Sequence, residues 1–230
     1  MRFSVTYNIT GKDEIPLDYR SGFMALIKTA LDKNIGYSKA VFQNDPFCFA
    51  VRFDKKPTIV SDKLLIGEKL TIYVTSTSSK LITNIYNGLL LINNFPLFET
   101  EISNPKFSYI DEYAINSDKI VFITLSPIVI RNSAQKDRYI TPKDENFNES
   151  FYNTLNEQWR LYNTMPLDFQ KNSFELVKYK KVVARHYNGL VLGFTGLLKM
   201  WASSDVLNFF YQSGIGYRRS NGFGFVKVDS

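Results

Sequence analysis

The sequence predicts an α+β fold made of two consecutive β-α-β-β-α-β units. Segments in which polar and apolar residues alternate, typical of half-buried strands, are interleaved with segments whose apolar residues recur at helical spacing. The order of these segments in residues 1–117 is repeated in residues 118–230. The second half also carries a glycine-rich stretch, residues 214–224, between its last helix and its last strand.

The first half, residues 1–117, is predicted to contain a strand, a helix, two strands, a second helix and a last strand. These elements are expected at residues 2–7, 23–31, 47–53, 69–75, 81–92 and 97–102, with residues 107–115 adding another extended piece. Ser78 and Ser79 precede the second helix, and their hydroxyl oxygens can accept hydrogen bonds from its first backbone N–H groups.

The second half, residues 118–230, is predicted to follow the same order. Its elements are expected at residues 120–131, 151–162, 174–183, 187–201, 203–211 and 225–228. Pro127 predicts a bulge or bend in the first strand, because proline has no N–H to donate to a sheet. Both halves therefore match the split βαβ, or ferredoxin-like, arrangement, with a boundary near residues 116–119.

Composition narrows the class of partner. The 230 residues carry a net charge of +6, and the sequence pI is near 9.2, which favours a polyanionic partner. A single cysteine, Cys48, allows no intramolecular disulfide and fits a cytoplasmic protein. No apolar run reaches membrane-spanning length, so we expect no membrane partner. With one histidine and one cysteine, a zinc site would have to rely on carboxylates, and we expect neither a metal nor another cofactor.

The glycine-rich stretch has two Gly-hydrophobic-Gly triplets on either side of a basic, polar segment. Glycine lets another backbone approach closely, and the forked N–H groups of arginine suit phosphate oxygens. A helix precedes the stretch and a strand follows it, the reverse of the order in dinucleotide-binding and P-loop motifs. The residues expected to contact a phosphate-bearing backbone are Gly214, Gly216, Arg218, Arg219, Ser220, Asn221, Gly222 and Gly224.

Residues 125–129, residues 193–196 and the glycine-rich stretch leading into residues 225–228 resemble the CRISPR-associated repeat-processing endoribonucleases of the RAMP superfamily. The first half agrees with this resemblance in its opening strand and in residues 15–19, which lead into the first helix. The resemblance covers nearly the whole chain and implies a double ferredoxin-like fold that binds CRISPR repeat RNA. It also implies metal-independent cleavage of precursor CRISPR RNA by a 2′-hydroxyl group, leaving a 2′,3′-cyclic phosphate and a 5′-hydroxyl.

The resemblance also points to the region of the catalytic residues. Much of the family has a histidine just after the first helix, assisted by a tyrosine and a lysine, but residues 36–44 contain no histidine here. Some members lack this histidine and use lysines for positioning and charge stabilisation. The candidates are therefore Lys28, Tyr37 and Lys39, with Lys28 first. Taken singly, each is also explained as a solvated or packed side chain.

Basic residues elsewhere predict the remaining RNA-binding surface. Besides the glycine-rich stretch, the candidates are Arg131, Arg138, Lys180, Lys181, Arg185 and His186. His186 is the only histidine, and it is predicted at the exposed tip of a hairpin, where contact with RNA or solvent is favoured over a catalytic role. These groups are expected to line a groove between the two units, with nearby tyrosines available to stack on bases.

Three functions stay open at this point. The first is a repeat-RNA endoribonuclease that needs no metal. The second is a repeat-RNA-binding paralogue without nuclease activity, which the missing histidine favours. The third is a structural subunit of a CRISPR effector complex, with other effector subunits as partners. The family includes homodimers, and no residue decides whether this chain forms one.

Overall fold

The structure is a computed structural model that describes residues 1–35, 47–135, 137–168, 170–187 and 189–229. Contacts within the chain divide it into two compact units. Unit 1 contains Met1–Glu112, Arg185–Gly189 and Ser220–Gly222. Unit 2 contains Tyr113–Ala184, Leu190–Arg219 and Phe223–Ser230. The ranges 1–117 and 118–230 stay a prediction about separately folding domains.

Unit 1 is built on a five-stranded sheet with two helices. Its elements are β1 (Arg2–Gly11), β2 (Glu14–Pro16), α1 (Arg20–Ile35), β3 (Phe47–Phe53), β4 (Thr58–Val60), β5 (Lys63–Leu65), β6 (Lys69–Ser76), α2 (Ser79–Leu90), β7 (Asn94–Leu97) and β8 (Thr100–Tyr109). The main sheet has the order β3-β6-β1-β8-β7, and β2, β5 and β4 form a small separate sheet. Without β7, the main sheet has the ferredoxin-like strand order.

The core of unit 1 follows from the alternation seen in the sequence. Phe3, Val5 and Tyr7 lie on one face of β1 and are completely buried. They belong to one apolar cluster with the buried stripes of α1 and α2, whose burial drives the helices onto the sheet. Ser78 caps α2 as predicted, since its hydroxyl accepts a hydrogen bond of 3.3 Å from the backbone N–H of Leu81.

Unit 2 repeats the arrangement with its own apolar core. Its elements are β9 (Lys119–Thr124), β10 (Ile130–Arg131), β11 (Tyr139–Ile140), α3 (Phe147–Arg160), β12 (Ser173–His186), β13 (Gly189–Trp201), α4 (Ser204–Ser213), a 3-10 turn (Arg219–Asn221) and β14 (Val226–Val228); the β12–β13 tip and part of the turn are counted with unit 1. The sheet order is β12-β13-β9-β14. The prediction of two tandem ferredoxin-like units is confirmed.

Three predicted extended segments differ from the structure. The strand predicted at residues 120–131 ends at Thr124, because the following segment containing Pro127 leaves the sheet. Ile128 then forms an isolated bridge to Phe194, and Ile130–Arg131 pair with β11 in a separate sheet. The extended pieces predicted at residues 97–102 and 107–115 are replaced by a β7–β8 hairpin, which turns at Phe98 with φ of 61°. The small sheet of unit 1 escaped prediction because three-residue strands are too short to show periodicity. None of the helices in the described part of the chain is long and apolar enough to cross a membrane.

Candidate nucleic-acid interface

The part of the glycine-rich stretch that belongs to unit 2 is tightly packed. Gly224 has φ of +76°, and a Cβ placed on it would lie 2.1 Å from the carbonyl oxygen of Ile215. Gly216 has φ of +95°, and its Cβ would lie 2.6 Å from the carbonyl oxygen of Val129. Both glycines are buried, as is Gly214. The structure therefore gives these glycines a packing role, while their contact with a phosphate backbone stays a prediction.

Backbone hydrogen bonds attach this stretch to the segment that follows β9. The N–H of Gly224 donates to the carbonyl of Pro127 at 2.8 Å, and the N–H of Tyr217 donates to the carbonyl of Val129 at 2.9 Å. Within the stretch, the N–H of Ile215 donates to the carbonyl of Gly224 at 2.8 Å. These bonds use backbone groups that an open phosphate cradle would direct at its ligand.

Gln158, on the buried face of α3, holds the start of the stretch. Its side-chain nitrogen donates to the hydroxyl of Ser213 at 2.8 Å and to the carbonyl of Gly214 at 2.5 Å. Its side-chain oxygen accepts from the N–H of Gly216 at 3.1 Å. Gln158 is not among the predicted site residues, although its spacing from Phe151 and Leu155 places a polar group on an apolar helix face, which requires buried partners.

The two arginines of the stretch have different environments. Arg219 is 9% exposed, and its guanidinium donates to the carbonyl of Ser213 at 3.2 Å. Arg218 is only half-buried, and its Nε donates to the hydroxyl of Tyr139 at 2.7 Å. Arg218 is therefore the more accessible of the two to a ligand in solvent.

A polar cavity of about 280 Å³ lies beside the stretch, between α3 and the segment that starts at β10. Tyr217 lines it, and the phenol of this residue donates a hydrogen bond to the carboxylate of Glu157. The guanidinium carbon of Arg131 lies 4.9 Å from the centre of the Tyr217 ring. Burial, followed by the hydrogen bond to Glu157, raises the pKa of Tyr217 to about 12, so the phenol stays protonated at neutral pH.

Strand β12, at the edge of the unit 2 sheet, presents the predicted basic strip. The side chains of residues 178–181 are all exposed, although successive residues of a strand point to opposite faces. Neither face of this part of β12 is therefore covered. The exposed cations along the strand are Lys178, Lys180, Lys181 and Arg185. Tyr179 lies among them and is 37% exposed, and Tyr187, which follows the strand, is 58% exposed.

Basic candidates in the β10–β11 region are split between two positions. Arg131 is half-buried at the polar cavity, whereas Arg138 is exposed immediately before β11. Arg138 takes part in the turn through its backbone, since its carbonyl accepts from the N–H of Asn132 at 2.9 Å. Its side chain therefore lies in solvent, where it could pair with a phosphate.

His186 is not the surface residue that the sequence predicted. It is 3% exposed and belongs to unit 1, where its Nε2 lies 2.6 Å from the amide nitrogen of Asn221. Its Nδ1 lies 3.4 Å from a carboxylate oxygen of Asp18, and the other oxygen of Asp18 accepts from the N–H of Tyr187 at 2.7 Å. The surface prediction failed because Asp18, the partner that buries this histidine, lies far away in the sequence.

Neighbouring predicted residues are held in the same region of unit 1. The carbonyl of Gly222 accepts a hydrogen bond of 3.3 Å from Nε of Arg20. A Cβ on Gly222 would lie 2.8 Å from the ring of Phe49, so this position also has little free space. Ser220 and Asn221 are half-buried beside it. Arg20 and Asp18 are not among the predicted site residues, because no local pattern distinguishes them.

The structure tests little of the predicted catalytic group. Lys28 is exposed on α1, at the edge of the buried stripe that includes Ile27 and Leu31. Tyr37 and Lys39 lie outside the described residues. Among the residues that are described, no group of three or more His, Cys, Asp or Glu side chains could hold a metal ion.

Comparisons with known proteins bear on both units. A family model described as CRISPR associated protein Cas6, C-terminal, matches residues 107–228. The chain is 25% identical over 186 residues to a CRISPR-associated endoribonuclease-like Cas6 protein of Pyrococcus furiosus, covering 76% of this chain and 75% of that protein. It is 24% identical over 167 residues to the CRISPR-associated endoribonuclease Cas6 1 of Methanocaldococcus jannaschii, covering 70% of this chain and 64% of that protein.

Solved structures share the fold over the whole chain. One is a RAMP protein described as binding different RNA substrates, with a TM-score of 0.83, 19% identity and full coverage of both chains. Another is the product of a Cas6-related gene from Pyrococcus furiosus, with a TM-score of 0.82, 20% identity and coverage of 100% of this chain and 98% of that one. At these identities the likeness establishes the tandem ferredoxin-like fold.

Proposed function

Because the chain belongs to the Cas6 family, whose C-terminal model matches residues 107–228, we propose that it binds CRISPR repeat RNA and cuts the precursor transcript. The proposed reaction is attack by the 2′-hydroxyl beside the scissile phosphate, without a metal ion, to leave a 2′,3′-cyclic phosphate and a 5′-hydroxyl. Two relatives, one named as an endoribonuclease and the other as endoribonuclease-like, support the activity. The observation that carries the binding step is the uncovered basic part of β12.

RNA binding follows from the chemistry of that strand. Lys178, Lys180 and Lys181 are exposed in succession around Tyr179. Ammonium groups that neutralise phosphates release condensed counterions, which makes binding favourable and dependent on salt. An exposed tyrosine ring between them offers a surface on which an unpaired base can stack. Arg218, half-buried, and Arg138, exposed, add two further guanidinium groups in unit 2.

The chemical step needs a base for the 2′-hydroxyl, a cation for the developing phosphorane charge and an acid for the leaving oxygen. We assign the cation to Lys28, which is exposed on α1. Tyr37 and Lys39 are the candidates for proton transfer and positioning. His186 has no place in this scheme, because it is buried and lies within hydrogen-bonding distance of Asn221.

A second function, repeat-RNA binding without cleavage, is favoured by one specific observation. Residues 36–44 contain no histidine, and the single histidine of the chain is the buried His186. Such a binder would show tight, salt-sensitive association and leave the RNA intact after long incubation.

A structural subunit of an effector complex would instead co-purify with partner subunits and have little affinity for isolated repeat RNA. Homodimer formation is a separate prediction, checked by light scattering.

Incubation of the protein with a CRISPR repeat transcript in excess chelator separates these functions. We expect cleavage in chelator, and no cleavage when the nucleotide that supplies the 2′-hydroxyl is deoxy. Cutting that requires magnesium would contradict the proposed mechanism. Intact RNA that is bound tightly would favour the non-cleaving binder.

Replacement of Lys28 tests the assigned cation. Loss of a group that stabilises transition-state charge lowers the rate by about a hundredfold or more. Lys28→Ala should therefore slow cutting by that factor in single-turnover measurements, while repeat binding changes little. Lys33→Ala is the matched control, because Lys33 is an exposed lysine on the same helix. Equal rates for the two variants would remove Lys28 from the mechanism.

A further inference from the structure

The polar cavity of unit 2 has one wall from α3 and another from the segment that begins at β10. Asn153, Glu157 and Arg160 contribute from the exposed face of α3, at helical spacing. Arg131 and Asn132 contribute from the opposite side, and Tyr217 of the glycine-rich stretch completes the lining. The cavity therefore brings together two arginines, a carboxylate, several amides and an aromatic ring.

Internal hydrogen bonds fix two of the amide side chains that line the cavity. The side-chain oxygen of Asn132 accepts from the N–H groups of Ala134 and Gln135, at 2.8 and 3.0 Å. The side-chain oxygen of Asn156 accepts from the N–H of Leu167 at 3.0 Å. Both amides are thereby oriented before any ligand enters, which lowers the ordering cost of binding.

Other polar groups at the cavity are available to a ligand. Within the described part of the chain, the side chains of Asn153 and Arg160 have neither a hydrogen bond nor an ion pair. Arg131 lies over the ring of Tyr217, a contact that leaves guanidinium N–H groups able to bind an anion. Glu157 opposes the two arginines but is engaged by the phenol of Tyr217. The charged side chains at the cavity therefore sum to one positive charge.

This combination suits a nucleotide better than an acidic peptide. Guanidinium groups bind phosphate and carboxylate alike, so the arginines alone do not distinguish them. The amide of Asn153 supplies both a donor and an acceptor, as the hydrogen-bonding edge of a base requires. The volume of about 280 Å³ lies near the lower end of small-ligand sites, so it fits one nucleotide and excludes a duplex.

We infer that this cavity binds a single unpaired nucleotide of the repeat RNA, with Arg131 and Arg160 on its phosphate and Asn153 on its base. This inference rests on the proposed function, since it concerns RNA bound by the same chain. It adds a position at which the sequence of the RNA is read, with a lining that includes none of the β12 lysines. Tyr217 links this position to the glycine-rich stretch, which Gln158 holds in place.

Abasic scanning of the repeat RNA tests the site. The probe is the repeat transcript of the CRISPR array from the same genome, with one base removed at each position in turn. In the unaltered protein, removal of the base that enters the cavity should weaken binding by roughly five- to 150-fold, the loss expected for one bidentate contact between an amide and a base. In Asn153→Ala, removal of the same base should weaken binding much less, because the contact between the base and the side chain is already absent.

Two further measurements sharpen the test. Arg160→Gln should make the dependence of affinity on salt shallower by about 0.7 units, as expected for one lost phosphate contact on single-stranded RNA. Asn148→Ala is the control for Asn153, because Asn148 is another exposed asparagine of α3 and does not line the cavity. All three variants should melt at the temperature of the unaltered protein, since the replaced side chains are exposed.

Distinct outcomes separate the site from the proposed function. Suppose that the unaltered protein binds the repeat, and that removal of each base weakens binding to Asn153→Ala as much as it weakens binding to the unaltered protein. The cavity is then not a nucleotide site. If Asn153→Ala and Arg160→Gln both bind RNA as Asn148→Ala does, the inference is also wrong, and an acidic protein partner becomes the better occupant. If the unaltered protein does not bind the repeat at all, the proposed function fails and the site fails with it.

Discussion

The glycine-rich stretch and strand β12 both belong largely to unit 2, and both carry clustered basic residues, yet their environments are opposite. The glycines at 214, 216 and 224 are buried, with backbone groups bonded to neighbouring segments. The lysines at 178, 180 and 181 are exposed on both faces of an edge strand. The glycines of the basic stretch thus have a packing role, while the plainer basic strand keeps its charges in solvent.

The difference teaches that glycine spacing alone does not distinguish a ligand cradle from a close backbone crossing. Both need glycine, because both bring another group to within the distance that a Cβ would occupy. At Gly224 that group is the carbonyl oxygen of Ile215 from the same stretch. Burial of the partner therefore decides which interpretation applies.

The strongest test of this comparison is Gly224→Ala. The new Cβ would lie 2.1 Å from a backbone oxygen at φ of +76°, so we expect a loss of about 3 kcal/mol of unfolding free energy. For a chain of this size, this loss lowers Tm by roughly 6–12 °C. Gly189→Ala is the matched control, because the nearest atom to its Cβ is 3.8 Å away. Equal melting temperatures would show that the stretch is loosely packed.

Gln158→Ala tests how the stretch is held. The change leaves the buried N–H of Gly216 without its Gln158 partner and leaves the carbonyl of Gly214 with the hydroxyl of Ser213 alone, which costs about 2 kcal/mol. Urea unfolding should show this loss, and RNA affinity should fall as well. Gln135→Ala replaces an exposed glutamine and should change neither. Unaltered stability of Gln158→Ala would mean that other contacts hold the stretch.

Neutralising the lysines of β12 tests whether these exposed charges bind RNA. Replacement of Lys178, Lys180 and Lys181 by glutamine should weaken repeat binding about tenfold and make its salt dependence shallower by about two units. The melting temperature should stay constant, since the three side chains are exposed. Lys119→Gln, at another exposed lysine of unit 2, controls for a general loss of charge. Binding unchanged in the triple variant would exclude β12 from the RNA site.

Replacement of the two arginines of the stretch should have different effects, on stability at Arg219 and on RNA binding at Arg218. Arg219→Ala removes a buried guanidinium bonded to Ser213 and should cost about 1 kcal/mol of stability. Arg218→Ala should leave stability nearly unchanged and make the salt dependence of RNA binding shallower by somewhat under one unit. A shallower salt dependence in Arg219→Ala, but not in Arg218→Ala, would mean that Arg219 becomes exposed when RNA binds.

The sequence by itself determined the order and type of the main elements, because strand and helix periodicities are local. The strand predicted at residues 47–53 is β3, and the serine cap predicted for the second helix is the one at Ser78. The glycine-rich stretch also supported the family resemblance, which the match over residues 107–228 establishes. Family motifs are defined by the order of residues along the chain, so they too can be recognised without a structure.

Only the tertiary structure decided which polar groups are accessible. His186 is buried against Asp18, and Gln158 is buried against Ser213 and Gly214, through contacts between residues distant in the sequence. The polar cavity likewise exists only where β10, α3 and the glycine-rich stretch meet. Local patterns report how a segment folds, whereas burial and hydrogen-bond partners depend on what packs against it, and the functional role of a charge depends on both.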